Sequence, residues 1–372
     1  MPHDMIRRIH ITDNRRIICI SDIHGHLKYL DELLKKVHFA DDDLLIIIGD
    51  VIESGEASLG ALRRVMELTE AGNCIALCGN WEHFMHILFM SDSPEDMKGL
   101  LTRALELDDY YGSSLLADMC RELGIEFSAG LDMAAIMPKI RTYFAKELDF
   151  MANMPLMLDC GEFACVHGGV PSLDEAEILK LAPYELLKND AFAEQGRRFD
   201  RWLITGHWPV ANYDREIARF SPHIYAESKI AAIDGGCGKQ EAAQLNALIM
   251  RMGRPGEFEW ESVDGFPRIA ALEAQAASEN PLHTVWGTRF IDVIVKNGGW
   301  AKVYHHATGR VLEVPEQRLW MQNGKEVLGD YTDYALPVEK GDILSVVFET
   351  DRGLCCKKDG ASGWYYGRYE KI

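Results

Sequence analysis

Three short apolar runs, each ending in polar residues, constrain this chain more than any other feature. Arg16-Ile17-Ile18-Cys19-Ile20, Leu44-Leu45-Ile46-Ile47-Ile48 and Cys74-Ile75-Ala76-Leu77-Cys78 read as strands covered on both faces. Between the first two, Leu27, Leu30, Leu33, Leu34 and Val37 recur at helical spacing. Ala57 to Ala71 reads as a second helix, ended by Gly72-Asn73. Strand–helix–strand–helix–strand order argues for an α/β sheet core.

Further on, residues 84–153 read mostly as helices, with clear starts at Ser93 and Ser113. Four more short strands follow at Glu162–Val166, Trp202–Ile204, Ile230–Ile233 and Leu245–Met250. Ala270 to Ser278 reads as a helix or linker. After Pro281 the pattern changes to aromatic and β-branched runs parted by Asn297-Gly298-Gly299, Thr308-Gly309, Asn323-Gly324, Lys340-Gly341 and Asp359-Gly360. That pattern predicts an all-β tail over 281–372, beside a larger domain over 1–278.

The charge follows this division. The formal net charge is −19, yet 281–372 holds 12 Lys and Arg against 12 Asp and Glu, so positions 1–280 carry the whole excess. A nucleic-acid-binding surface needs clustered Lys and Arg, which this chain lacks; no nucleic-acid partner is expected. No apolar run approaches the roughly 18 residues of a membrane span. The opening segment, Met1 to Arg8, shows no apolar signal sequence. The nine cysteines form no C-x-x-C pair and sit largely in apolar runs. Buried, reduced thiols in a cytoplasmic protein with no membrane partner are the expectation.

Chemistry gathers where the apolar runs stop. The first ends in Asp22-Ile23-His24-Gly25, the second in Gly49-Asp50, the third in Gly79-Asn80. His167-Gly168-Gly169 and Gly206-His207 follow later strands. Carboxyl ends of neighbouring strands converge on one crevice. Each signal alone is weak, since Asp, Asn and Gly also make ordinary turns and a lone His is usually structural. Five in order, each after an apolar strand, point to a shared site. Asp22, His24, Asp50, Asn80, His167 and His207 offer three oxygen and three nitrogen ligands, a mixture suited to Mn²⁺, Fe²⁺ or Zn²⁺. Six ligands exceed what one ion keeping a water can use, so two ions sharing a carboxylate are expected.

Asp22-Ile23-His24-Gly25, then Gly49-Asp50-Val51-Ile52-Glu53-Ser54-Gly55, then Gly79-Asn80-Trp81-Glu82, with equal gaps between them, resemble the motif of the phosphoprotein phosphatase family of calcineurin-like metallophosphoesterases. Val166-His167-Gly168-Gly169 and Thr205-Gly206-His207-Trp208-Pro209-Val210 resemble its later motifs. Ile233-Asp234-Gly235-Gly236-Cys237-Gly238 is similar to a segment of bacterial members and of symmetrical diadenosine tetraphosphatase. The resemblance spans about residues 16 to 250. It implies an α/β, calcineurin-like fold: a β-sandwich flanked by helices, with a smaller all-β C-terminal domain here. It also implies one metal on Asp22, His24 and Asp50, and another on Asp50, Asn80, His167 and His207. Two divalent ions are thus expected, manganese first, with iron or zinc as alternatives.

Two departures stand out. Glu53-Ser54-Gly55 replaces Asp-Arg-Gly, so the Arg that would grip phosphate is missing. Trp81 replaces the His that would protonate the leaving oxygen, a role typically worth about 10²–10⁴-fold. His26 and His83 are candidate substitutes for the acid, and Arg201, with Arg197 and Arg198, for the phosphate grip; each is also readable as a solvated side chain. Glu82 is readable as a support for a ligand or as a helix start.

The reading from the residues and the resemblance is a dinuclear phosphoesterase acting on small phosphate monoesters or phosphoproteins, serine/threonine sites among them. The alternatives are a dinucleoside polyphosphate or nucleotide hydrolase, and an impaired scaffold that binds phospho-ligands or peptides. Residues 336–372 resemble a bacterial Src-homology-3-like barrel, which implies a peptide ligand. Trp364, Tyr365 and Tyr366 would line its groove, or fill a small core. Lys357 and Lys358 read as a solvated turn.

Overall fold

The structure is a computed structural model that describes residues 5–12 and 14–372. The first four positions of the opening segment, read above for a signal, lie outside the described residues. The chain divides into two compact units. The first takes in the chain up to Pro209, with Pro222–Lys239 and Ala243–Val263.

Among the described residues, two sheets form this unit. One orders the strands β12 (Glu259–Val263), β11 (Leu245–Arg251), β2 (Arg16–Ile20), β3 (Leu44–Ile48) and β4 (Cys74–Leu77), with β2, β3 and β4 parallel. The other orders β1 (Ile6–Arg8), β5 (Met157–Asp159), β6 (Phe163–Val166), β7 (Trp202–Thr205), β10 (Ile230–Ala232) and β9 (His223–Tyr225), with β6, β7 and β10 parallel. Side chains alternate across each strand. Ile17, Cys19, Leu44, Ile46 and Ile48 therefore share one core with Phe163, Cys165, Trp202 and Ile204 of the other sheet. Ile18, Ile20, Leu45 and Ile47 face the opposite way, into a larger core shared with the helices. The result is a sandwich flanked by helices, as the resemblance implies.

The helices are α1 (Leu27–Lys36), α2 (Ser58–Glu70), α3 (Asn80–Met90), α4 (Pro94–Tyr111), α5 (Leu115–Glu122), α6 (Met133–Tyr143) and α7 (Ala145–Asn153). Ser93 caps α4 and Ser114 caps α5 through their hydroxyls, which accept backbone N–H groups the helix leaves over. Two short helices, α8 (Glu175–Ile178) and α9 (Pro183–Leu187), follow β6.

The second unit comprises Val210–Ser221, Gln240–Ala242 and Asp264–Ile372, so it starts earlier than Pro281 and includes two excursions from the preceding chain. Its largest sheet orders β22 (Tyr369–Lys371), β13 (Arg268–Ala271), β19 (Ile343–Thr350), β20 (Gly353–Lys358), β21 (Ala361–Tyr365) and β8 (Ala218–Arg219). A three-stranded sheet joins β14 (Ile291–Asn297), β15 (Trp300–His305) and β16 (Arg310–Pro315), and a hairpin joins β17 (Leu319–Gln322) to β18 (Lys325–Leu328). The Asn323-Gly324 and Asp359-Gly360 turns hold both residues at positive φ, as tight hairpins require.

Several expectations change here. The Ala-rich stretch begins as strand β13, not as a helix, because Ile269 pairs with Leu344 and Lys371. Residues 336–372 do not close on themselves; their sheet is completed by β13 and β8. Lys357 is buried against Asp264 at 3.3 Å, and Lys358 pairs with Asp342, so neither is a free turn residue. Trp364 and Tyr365 follow the core-filling alternative, with Trp364 Nε1 donating to the Thr332 carbonyl at 2.7 Å. Of the proposed aromatic groove, Tyr366 alone stays outside, 57% exposed.

Candidate metal centre

The polar strand ends meet because the strands that carry them run parallel. Loops after β2 and β3 are zipped by backbone bonds: Asp22 N–H to Gly49 O at 3.1 Å, and His24 N–H to Asp50 O at 2.9 Å. Gly206 N–H reaches His167 O at 3.0 Å, tying the ends of β6 and β7. Asn80 opens α3 directly after β4. Asp22, His24, Asp50 and His207 all take positive φ, between 48° and 66°. Such backbone costs a non-glycine residue about 1–2 kcal/mol. The strain collects at the site, as is common where geometry serves function.

Two ligand groups result, and they share one residue. Asp22, His24 and Asp50 offer atoms within 4.8 Å of one another, as do Asp50, His167 and His207. His24 Nε2 lies 3.8 Å from Asp22 Oδ1 and 3.7 Å from Asp50 Oδ2. His167 Nε2 lies 3.4 Å from Asp50 Oδ2 and 3.2 Å from Asn80 Oδ1. All six residues expected as ligands thus stand together, with Asp50 between the two groups.

The electrostatics fit a cation. Asp22 Oδ1 is buried without a hydrogen-bond partner, and a buried carboxylate oxygen left bare is costly. Burial raises the Asp22 carboxyl to about 6. Burial opposes charge on Asp50 too, but His167 outweighs it and holds Asp50 below the usual carboxylate range. Burial also opposes a proton on His167, yet Asp50 and Asp22 raise it to about 10. Burial lowers His24, leaving a neutral imidazole with a lone pair to offer. Oxygen and imidazole donors around an acidic centre suit first-row divalent ions.

Other residues fix these side chains. His167 Nδ1 donates to Ile48 O at 2.8 Å, which turns Nε2 toward Asp50. Glu82 is fully buried and accepts backbone N–H groups of Gly79, Asp50, Val51 and Ile52 at 2.8–3.1 Å. It therefore both starts α3 and holds the Asp50 loop. Trp81 N–H donates to Asp50 Oδ1 at 2.9 Å. Asp190, which the sequence did not single out, accepts from His207 Nε2 at 2.8 Å. It sits just after α9 with no strand or motif before it.

The expected catalytic substitutes are placed less evenly. His26 precedes α1, and its Nδ1 donates to His24 O at 2.9 Å, at the edge of the ligand loop. His83 follows Asn80 by one turn of α3. Arg201 is not at the site. It forks onto Asp159 at 2.7 and 3.1 Å, before the start of β7, whereas His207 lies past that strand's end. Lys239 stands instead beside the first departure, its Nζ donating to Ser54 Oγ at 2.7 Å.

A family model described as calcineurin-like phosphoesterase matches residues 15–231, more than half the chain. The symmetrical bis(5'-nucleosyl)-tetraphosphatase of Salmonella typhimurium is 32% identical over 180 residues, covering 46% of this chain and 61% of that protein. Its namesake from Nitrosospira multiformis is 26% identical over 200 residues, covering 51% and 60%. The chain therefore spans about three fifths of the length of these relatives. A protein serine/threonine phosphatase structure from Saccharomyces cerevisiae is 12% identical, with a TM-score of 0.43, covering 71% of this chain and 84% of that one.

Proposed function

Because the chain belongs to the calcineurin-like phosphoesterase family, we propose that it is a metal-dependent hydrolase of phosphoric esters with two divalent ions at the Asp50-centred site. The observation that carries this reading is the pair of ligand groups sharing Asp50. Asp22, His24 and Asp50 would hold one ion, and Asp50, Asn80, His167 and His207 the other, with manganese first and iron or zinc next. When bound, such a pair polarises phosphoryl oxygens and supplies a hydroxide at neutral pH.

The chain's own residues set the rest. His167 and His207 are held by Ile48 O and Asp190, so each keeps one ring nitrogen for the site. Glu82 locks the loop that carries Asp50. Trp81 cannot donate a proton at neutral pH, so leaving groups that depart as stable anions are favoured. That favours small aryl phosphates and phosphoanhydrides over alkyl esters, and serine/threonine phosphoprotein becomes the harder substrate. The second reading, a dinucleoside polyphosphate hydrolase, draws on the same absence and on the names of the relatives. All nine cysteines are buried, which supports a reducing, cytoplasmic setting. Among the described residues no helix is long and apolar enough to cross a membrane.

The test is metal-dependent phosphate release from p-nitrophenyl phosphate, lost in Asp50→Asn. Diadenosine tetraphosphate decides the second reading: two identical nucleoside diphosphates are expected if it holds. A metal-loaded chain inert toward every phospho-compound would leave the scaffold reading.

A further inference from the structure

Ser54 gives the site a hydroxyl where the resemblance leads one to expect a guanidinium. That hydroxyl is buried. Lys239 Nζ donates to it at 2.7 Å. The same ammonium lies 4.7 Å from the ring centroid of Trp81, the residue at the second departure. One cation therefore touches a residue of each departure, Ser54 and Trp81.

Its position is built. Gly238 is at φ +65°, and a Cβ there would come 2.1 Å from Ser54 O, so this backbone packs directly on the Ser54 loop. Tyr111 donates to Gly238 O at 2.5 Å, and Lys239 N–H bonds Gly236 O at 2.9 Å. The Ser54 loop in turn lies on the ligand loop: a Cβ on Gly55 would stand 2.0 Å from His24 O. Lys239 is close enough that its charge, after burial, is the next largest influence on His24.

Among the described residues no carboxylate forms an ion pair with Lys239 Nζ. Arg103 also approaches Trp81, at 5.2 Å, but is paired with Glu106 at 3.2 Å. Burial lowers Lys239 to about 8, against the pull of Asp50, so its charge leans on a nearby anion. Cations bound at Asp50 and Asp22 would cancel much of that pull. The remaining natural partner is an incoming anion.

We propose that Lys239 is the substrate-binding cation of this site, gripping a phosphoryl oxygen where Ser54 cannot. Lys is a compact point charge, so it holds one oxygen and lacks the two-pronged fork of Arg. Ser54 positions the ammonium and Trp81 walls it. The assignment rests on the proposed function, and extends it by naming which residue binds the phosphoryl group.

The test is calorimetric binding of inorganic phosphate to the manganese-loaded protein. Lys239→Met should weaken phosphate binding about tenfold or more, the loss of one charge-assisted bond. Bound metal and melting temperature should stay those of the parent. Lys239→Arg should retain most of the affinity. Ser54→Arg, added to Lys239→Met, should restore binding, because the two side chains meet at one point. Unchanged phosphate affinity in Lys239→Met, with metal in place, would overturn the assignment and leave the proposed function standing. A metal-loaded parent that neither binds phosphate nor turns over p-nitrophenyl phosphate would remove both.

Discussion

Asp190 and Arg201 show opposite sides of the same problem for single residues. Asp22, His24, Asp50, Asn80, His167 and His207 were legible because each directly follows an apolar strand, and parallel strands bring such ends together. Asp190 has no strand behind it, and meets His207 only through the fold. Arg201 looked available in sequence, but its partner Asp159 lies 42 positions away and no local pattern announces it. Asp190→Asn should keep the fold and cost about 10–100-fold in metal affinity, the usual effect of losing a carboxylate behind a ligating His, read by metal titration. Glu53 makes a pH prediction. It is fully buried, accepts one bond from Leu115 N–H at 3.1 Å, and burial raises it from 4.5 to about 8. Between those values the folded chain keeps a proton that the unfolded chain has released. Stability should therefore fall as pH rises from about 4.5 to about 8. Glu53→Gln should flatten that fall, read from denaturant midpoints across the range; an unchanged slope would contradict it.

Among the helices and strands, the patterns of the first half were readable because both sides of each strand are covered. The 270–278 stretch was not. Alanine-rich composition favours a helix, but pairing of β13 with β19 and β22 overrides that local preference. The start of α3 is where an element and the site depend on each other. Glu82 satisfies four backbone N–H groups across the loops after β3 and β4. Its alternatives, ligand support or helix start, looked separate in sequence because the Asp50 loop lies about 30 positions upstream. Replacing Glu82 with Ala strands those donors in a dry interior, at about 1–3 kcal/mol for each one left unsatisfied. Glu82→Ala should lower stability by at least about 3 kcal/mol on that scale and loosen metal binding together. A variant that melts like the parent would contradict this role for Glu82 in the loop.

For the molecule as a whole, the acidic excess and the division of the chain tell different stories. Two units exist, but the cut falls at Asp264 and not at Pro281, because strand pairing ignores composition. A fragment of 281–372 lacks β13 and β8, so Leu344 and Ser362 lose their partners Ile269 and Ala218. That fragment should show a broad, non-cooperative thermal transition by circular dichroism, where the full chain gives a sharp one. The −19 charge resides in positions 1–280, and of the proposed ligands only Asp22 and Asp50 are acidic. Most of the excess is therefore outside the ligand set. It repels polyanions over about a Debye length, which is consistent with the small phosphoesters of the proposed function. The chemistry proposed for this chain turns on a two-ion centre organised by Asp50. Counting bound manganese per chain after loading and desalting decides whether that centre exists. Two equivalents in the parent, with less than one in Asp50→Asn, is the expected result. A parent that holds one or none, or an Asp50→Asn protein that still holds two, would contradict it.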